Sequence, residues 1–140
     1  VILLDVGVWL AAAWGRHIHH RAAADWLDQQ EDDLALCRVT QMSLLRLLSN
    51  PAVLDQDTVS RAGAWRVIDQ FRADERVLWA EEPPQLEAAW RAISARDENS
   101  HKLWTDDYLA AFAQAADAAL ATLDHKLRDR YPSVRVETLT

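Results

Sequence analysis

Apolar residues along this chain alternate between two patterns, short unbroken runs and longer stretches in which they recur every three or four positions. Val1-Ile2-Leu3-Leu4 is continuous, with no polar alternation, which is what a strand covered on both faces requires. Leu34 to Val39, Arg76 to Ala80, a run ending at Thr122, and Val134 to Val136 after Pro132 read as the other strands, the last at an edge. Between them, Val8 to Trp14 closed by Gly15, His17 through Gln30, and Thr58 to Arg72 carry helical spacing; Ala62, Trp65, Ile68 and Phe71 form one side of the third. Thr40 is expected to cap a helix that runs to about Leu48 and stops at Ser49-Asn50-Pro51. Leu86 to Ala95 follows Pro84 as helix, Arg96 to Lys102 is polar and loop-like, and Asp106 to Ala116 is helical again. A turn or short helix then extends through Arg130. The alternation predicts a three-layer α/β domain with a mainly parallel sheet of four or five strands, spanning residues 1–140 as one unit.

That architecture gives three acidic residues a common address. The first strand stops at Asp5, the helix from Asp106 leads into the fourth strand, and that strand is followed by Asp124. A helix that runs down before a parallel strand comes back up must start at the edge where the strands end. In open α/β sheets ligands bind outside that carboxyl edge. Asp5, Asp106 and Asp124 should therefore converge on one mouth, where their mutual repulsion calls for protonation or a shared cation. Oxygen ligands alone select a hard ion, Mg²⁺ or Mn²⁺. Asp107, adjacent but about 100° around the helix, is expected to be solvated. Thr122, on the strand face shared with Asp124, is placed to orient a carboxylate or a water.

Composition narrows the reading. No apolar run approaches the length of a membrane span and no signal peptide is evident, so a cytoplasmic protein with no membrane association is expected. The lone Cys37 excludes an internal disulfide and leaves too few thiolates for a structural zinc site. A formal charge of -7 argues against a protein that coats nucleic acid through many phosphate contacts, but not against an enzyme that cuts it. Arg38, Arg46, Lys102 and Lys126 lie near the mouth loops or adjoining helices and are the candidate phosphate contacts. Of His17, His19 and His20, only His17 and His20 fall on one helical face, without an obvious third metal ligand. Trp9 and Trp14 suit either the core or an interface.

The ordered set of an opening strand ending in Asp5, Thr40-x-x-Ser43-Leu44-Leu45, Asp106-x-x-Leu109-Ala110-Ala111 and Leu120-x-Thr122-x-Asp124 resembles the PIN domain. The likeness is specifically to the VapC-type toxins of bacterial toxin–antitoxin pairs, and it covers nearly the whole chain. It implies a metal-dependent endoribonuclease acting on tRNA or another structured RNA, with Mg²⁺ or Mn²⁺ held by Asp5, Asp106 and Asp124. It also implies inhibition by a small VapB-type antitoxin and assembly as a homodimer. Ser43 stands where many PIN domains carry Glu, and Gly7 where Asn or Ser is usual. Those two departures motivate an alternative, a catalytically weakened PIN-like module that binds RNA or a partner.

Overall fold

The computed structural model describes the whole chain, Val1–Thr140. Five strands, β1 (Ile2–Leu4), β2 (Leu34–Leu36), β3 (Val77–Trp79), β4 (Ala119–Thr122) and β5 (Val136–Thr138), form one sheet in the order β3-β2-β1-β4-β5. Every neighbouring pair is parallel. β1 is central, which explains its unbroken apolar run. Strand parity then divides the core. Leu3, Ala35 and Leu120 point to one face, while Ile2, Leu4, Leu34, Leu36 and Ala121 point to the other.

The first face is covered by α6 (Leu86–Ser94), α7 (Trp104–Ala115) and α8 (Leu127–Arg130). The second is covered by α1 (Val6–Ala13), α2 (His20–Gln29), α3 (Arg38–Leu48), α4 (Pro51–Leu54) and α5 (Arg61–Arg72). The result is the expected three-layer arrangement. Full burial of side chains such as Leu3, Leu4, Leu36 and Leu120 contributes about 1.5–3 kcal/mol each relative to exposure. No helix is long and apolar enough to cross a membrane.

Several boundaries differ from expectation for local reasons. α3 begins at Arg38 rather than at Thr40, because Cys37 is already extended and its carbonyl accepts the amide of Gln41. Thr40 is consequently inside the helix, buried, with its hydroxyl 3.5 Å from the Cys37 sulfur, and caps nothing. α2 begins at His20, since the His17 ring accepts the His19 amide at 3.0 Å and holds the preceding residues in a turn. The pause after Leu48 is followed by an extra short helix, α4, capped by the Asn50 side chain with Pro51 at its first position. α5 starts at Arg61 because the Ser60 hydroxyl accepts the Gly63 amide. The final strand shifts to Val136–Thr138: a turn closed from the Val134 amide to the Tyr131 carbonyl keeps Val134 in the core and delays pairing to Val136.

Candidate active site

The same parity that divides the core aims the site. Asp5 follows Leu4 in extended backbone, so its side chain shares the face of Leu3; Thr122 shares the face of Leu120. The two meet across adjacent strands, the Thr122 hydroxyl donating to one Asp5 oxygen at 3.1 Å while the Val6 amide donates to the other at 2.7 Å. α7 packs on that face and starts at the carboxyl edge, which brings Asp106, in its first turn, toward Asp5. Asp124 lies just beyond β4, exposed, and its backbone is tied back by its own amide donating to Thr122 Oγ1 at 3.0 Å. Its carboxylate accepts the Lys126 amide at 2.9 Å. Thr122, fully buried, thus holds both Asp5 and the chain at Asp124.

The electrostatics report the crowding. Burial, followed by the nearby charges of Asp5, Asp124 and Asp107, raises the Asp106 carboxyl from its ordinary value to about 6, against the opposing pull of Arg130. Burial likewise raises Asp5, with Asp124 adding to the rise and the Thr122 and Val6 hydrogen bonds countering it. Arg130, in the last turn of α8, places Nη1 3.4 Å from Asp106.

The folded chain therefore binds the Asp106 proton more tightly than the unfolded chain does. Stability from this group is complete below the ordinary aspartate value of 3.8 and is lost as pH rises to about 6. Asp32, lowered chiefly by its hydrogen bond with the amino terminus, and Asp74, lowered chiefly by Arg76, act in the opposite sense. The difference between wild type and Asp106→Asn isolates the effect. In urea titrations with chelator present, the wild type is expected to lose stability relative to Asp106→Asn between about pH 4 and pH 6. A difference that does not change over that interval contradicts the crowding of Asp106.

Asp107 corrects the sequence-based expectation. It is buried rather than solvated, because Tyr131, brought over it by the α8 turn, donates its hydroxyl to the carboxylate. Arg130, one residue earlier, reaches Asp106 from the same turn. No local pattern connects Asp107 with Tyr131, since their meeting depends on how β4 and α8 fold back over α7.

The other candidates are spread more widely. Arg38 is exposed at the first residue of α3, next to the carboxyl end of β2. Lys102 is exposed in the loop before α7, and Lys126 immediately precedes α8. Arg46 lies in the last turn of α3, lining a groove with Met42, Leu45, Arg61 and Trp65. Ser43 is half-buried on α3 and a side-chain Cβ at Gly7 meets no atom within 4 Å. The histidines assemble no site: His20 Nδ1 lies 2.8 Å from the Ala11 carbonyl, tying α2 to α1. Trp9 is core, and Trp14 donates its indole N–H to Asp57.

As the side chains stand, no group of three or more His, Cys, Asp or Glu is close enough together to hold a metal ion, Asp5, Asp106 and Asp124 included. An all-carboxylate mouth of this kind nevertheless has the donor chemistry of Mg²⁺, which keeps several of its waters and needs only one or two carboxylates as direct ligands.

Comparison with known proteins agrees with the geometry. Residues 2–131 match the PIN domain family. Ribonuclease VapC41 of Mycobacterium tuberculosis is 42% identical over 130 residues, covering 89% of each chain. Ribonuclease VapC29 of the same organism is 35% identical over 136 residues, covering 96% of this chain and 94% of that one. The fold is also that of VapBC2 from Rickettsia felis, solved bound to a promoter DNA fragment, with TM-score 0.70 and 14% identity over 98% of this chain and 97% of that one. Mycobacterium tuberculosis VapC20, a Sarcin-Ricin loop cleaving toxin, superimposes with TM-score 0.68 and 16% identity, covering 96% and 99% of the two chains. With a family match over residues 2–131 and this degree of identity to two ribonucleases, the chain belongs to the PIN-domain family, within the VapC group.

Proposed function

We propose that this chain is a divalent-metal-dependent endoribonuclease and the toxin of a VapBC-type pair, hydrolysing phosphodiester bonds in tRNA or another structured RNA. The observation that carries the reading is the placement of Asp5, held by Thr122, and Asp106, in the first turn of α7, at one sheet edge with Asp124 just beyond β4. Asp5 and Asp106 would hold Mg²⁺ or Mn²⁺ as the primary ligands, with Asp124 binding directly or through water. When bound, the cation polarises a phosphoryl oxygen and makes a water nucleophilic at neutral pH.

The chain's own residues supply the orientation. Thr122 and the Val6 amide each hold one oxygen of Asp5, fixing the plane of its carboxylate. Arg130 offsets part of the negative charge at Asp106, and the start of α7 adds the favourable end of a helix dipole. No side-chain nucleophile is required. Ser43, half-buried on α3, stands in the sequence where many PIN domains carry a further acid.

The solved VapBC complex of the same fold supports a VapB-type antitoxin as partner, and we further take the antitoxin as inhibitor, a homodimer as the assembled toxin and the cytoplasm as its location. Residues 1–140 act as one PIN domain in this reading.

RNA cleavage by the purified chain is expected to stop when EDTA is added and to return with excess Mg²⁺ or Mn²⁺. Cleavage that continues in EDTA contradicts the metal-dependent mechanism. RNA retention without cleavage at any cation concentration instead supports the catalytically weakened binding module suggested by Ser43 and Gly7.

A further inference from the structure

At the carboxyl edge of the sheet, on the face opposite Asp5, one indole carries two cations. The Arg38 guanidinium lies 4.6 Å from the centroid of the Trp79 ring, and that of Arg72 lies 5.2 Å from it. Arg72 and Trp79 come from the end of α5 and the end of β3, consecutive elements, while Arg38 comes from the start of α3, more distant in sequence. Arg38 is oriented by donating from Nη1 to the buried Gln41 at 2.7 Å, and the ring is fixed by donating from Nε1 to Glu81 at 2.8 Å. Neither Arg38 nor Arg72 forms an ion pair, although the chain has 22 acidic residues against 15 Lys and Arg. Two exposed guanidinium groups held on one ring repel each other. An anionic ligand converts that repulsion into attraction.

The position fits a strand running toward the carboxylates. Trp79 pairs with Leu36, and the Ala80 amide donates to the Leu36 carbonyl one row from the edge. β2 separates β3 from β1, so two strand spacings, about 10 Å, lie between this backbone and that of Asp5. We propose that Arg38, Trp79 and Arg72 form an RNA-binding subsite that engages a single-stranded segment flanking the cleaved bond. The guanidinium N–H groups take backbone phosphates, and a base of the same segment stacks against the arginine–tryptophan cluster. This rests on the ribonuclease reading above for the class of substrate.

The test measures binding separately from cleavage. Fluorescence anisotropy of a labelled single-stranded oligoribonucleotide is followed with full-length Asp5→Asn protein, and then with the same protein carrying Arg38→Ala and Arg72→Ala. The expected result is at least a tenfold weaker Kd and a salt dependence shallower by about 1.4 in the log–log slope, for two lost phosphate contacts. Trp79→Leu, which keeps both charges and removes their platform, is expected to weaken binding by about threefold or more. Unchanged affinity and salt slope in the double arginine variant, with circular dichroism showing a folded chain, overturns the subsite. If that happens while the wild type still cleaves RNA, only the subsite fails. If the arginine variant loses binding while the wild type never cleaves, the subsite stands and the catalytic reading fails.

Discussion

Replacing Asp5 by Asn is expected to lower RNA cleavage by at least about two to three orders of magnitude, the loss typical when one preorganised electrostatic contact to a reacting centre is removed. The substitution is nearly isosteric. The Asn oxygen still accepts from the Val6 amide and its NH2 can donate to Thr122 Oγ1, so the local backbone has no reason to move. What disappears is the negative charge, which burial and Asp124 already disfavour in the folded chain. The variant should therefore unfold at a temperature no lower than the wild type while losing activity. Single-turnover cleavage of a fixed RNA, paired with a thermal melt, separates the two effects. Activity within tenfold of wild type removes Asp5 from the reaction, and loss of the melt transition assigns it to folding instead.

Trp9→Ala carries the largest expected loss of stability, about 3–5 kcal/mol. Trp9 is fully buried on α1 and packs edge-on against Phe71 of α5, with centroids 4.9 Å apart, so its removal opens a cavity between the two helices. No protein group accepts from its indole nitrogen, so the ring is held by packing rather than by a hydrogen bond within the chain. Trp9→Phe, which keeps an aromatic ring and removes that donor, should cost much less than the alanine change. Urea denaturation of both variants measures the contrast. A cost below about 1 kcal/mol for Trp9→Ala contradicts the packing assigned to this face.

The sheet and the three carboxylates were legible because each depends on local pattern plus one topological rule. An unbroken Val1–Leu4 run reads as a central parallel strand whatever surrounds it, and parallel strands end at one edge. Asp5, Asp106 and Asp124 inherit that edge from their places in the chain. The neighbours that tune them were less legible, since Tyr131 reaches Asp107 across 24 residues and Trp79 meets Arg38 and Arg72 only after two helices have packed. Helix starts were blurred by side chains with two possible uses. Thr40 has the composition of a cap but is drawn into the core beside Cys37, and His17 spends its ring on a turn. Thr122 was readable from strand parity with Asp124, yet its bond to Asp5 required knowing that β1 and β4 are neighbours.

The shared cation proposed at Asp5, Asp106 and Asp124 is tested most directly by Mn²⁺ titration followed by electron paramagnetic resonance. The free-ion signal should fall saturably with the wild-type chain at neutral pH, and Asp106→Asn should weaken that uptake by at least about tenfold. Equal uptake by wild type and Asp106→Asn, or no uptake by either in the presence of RNA, contradicts it.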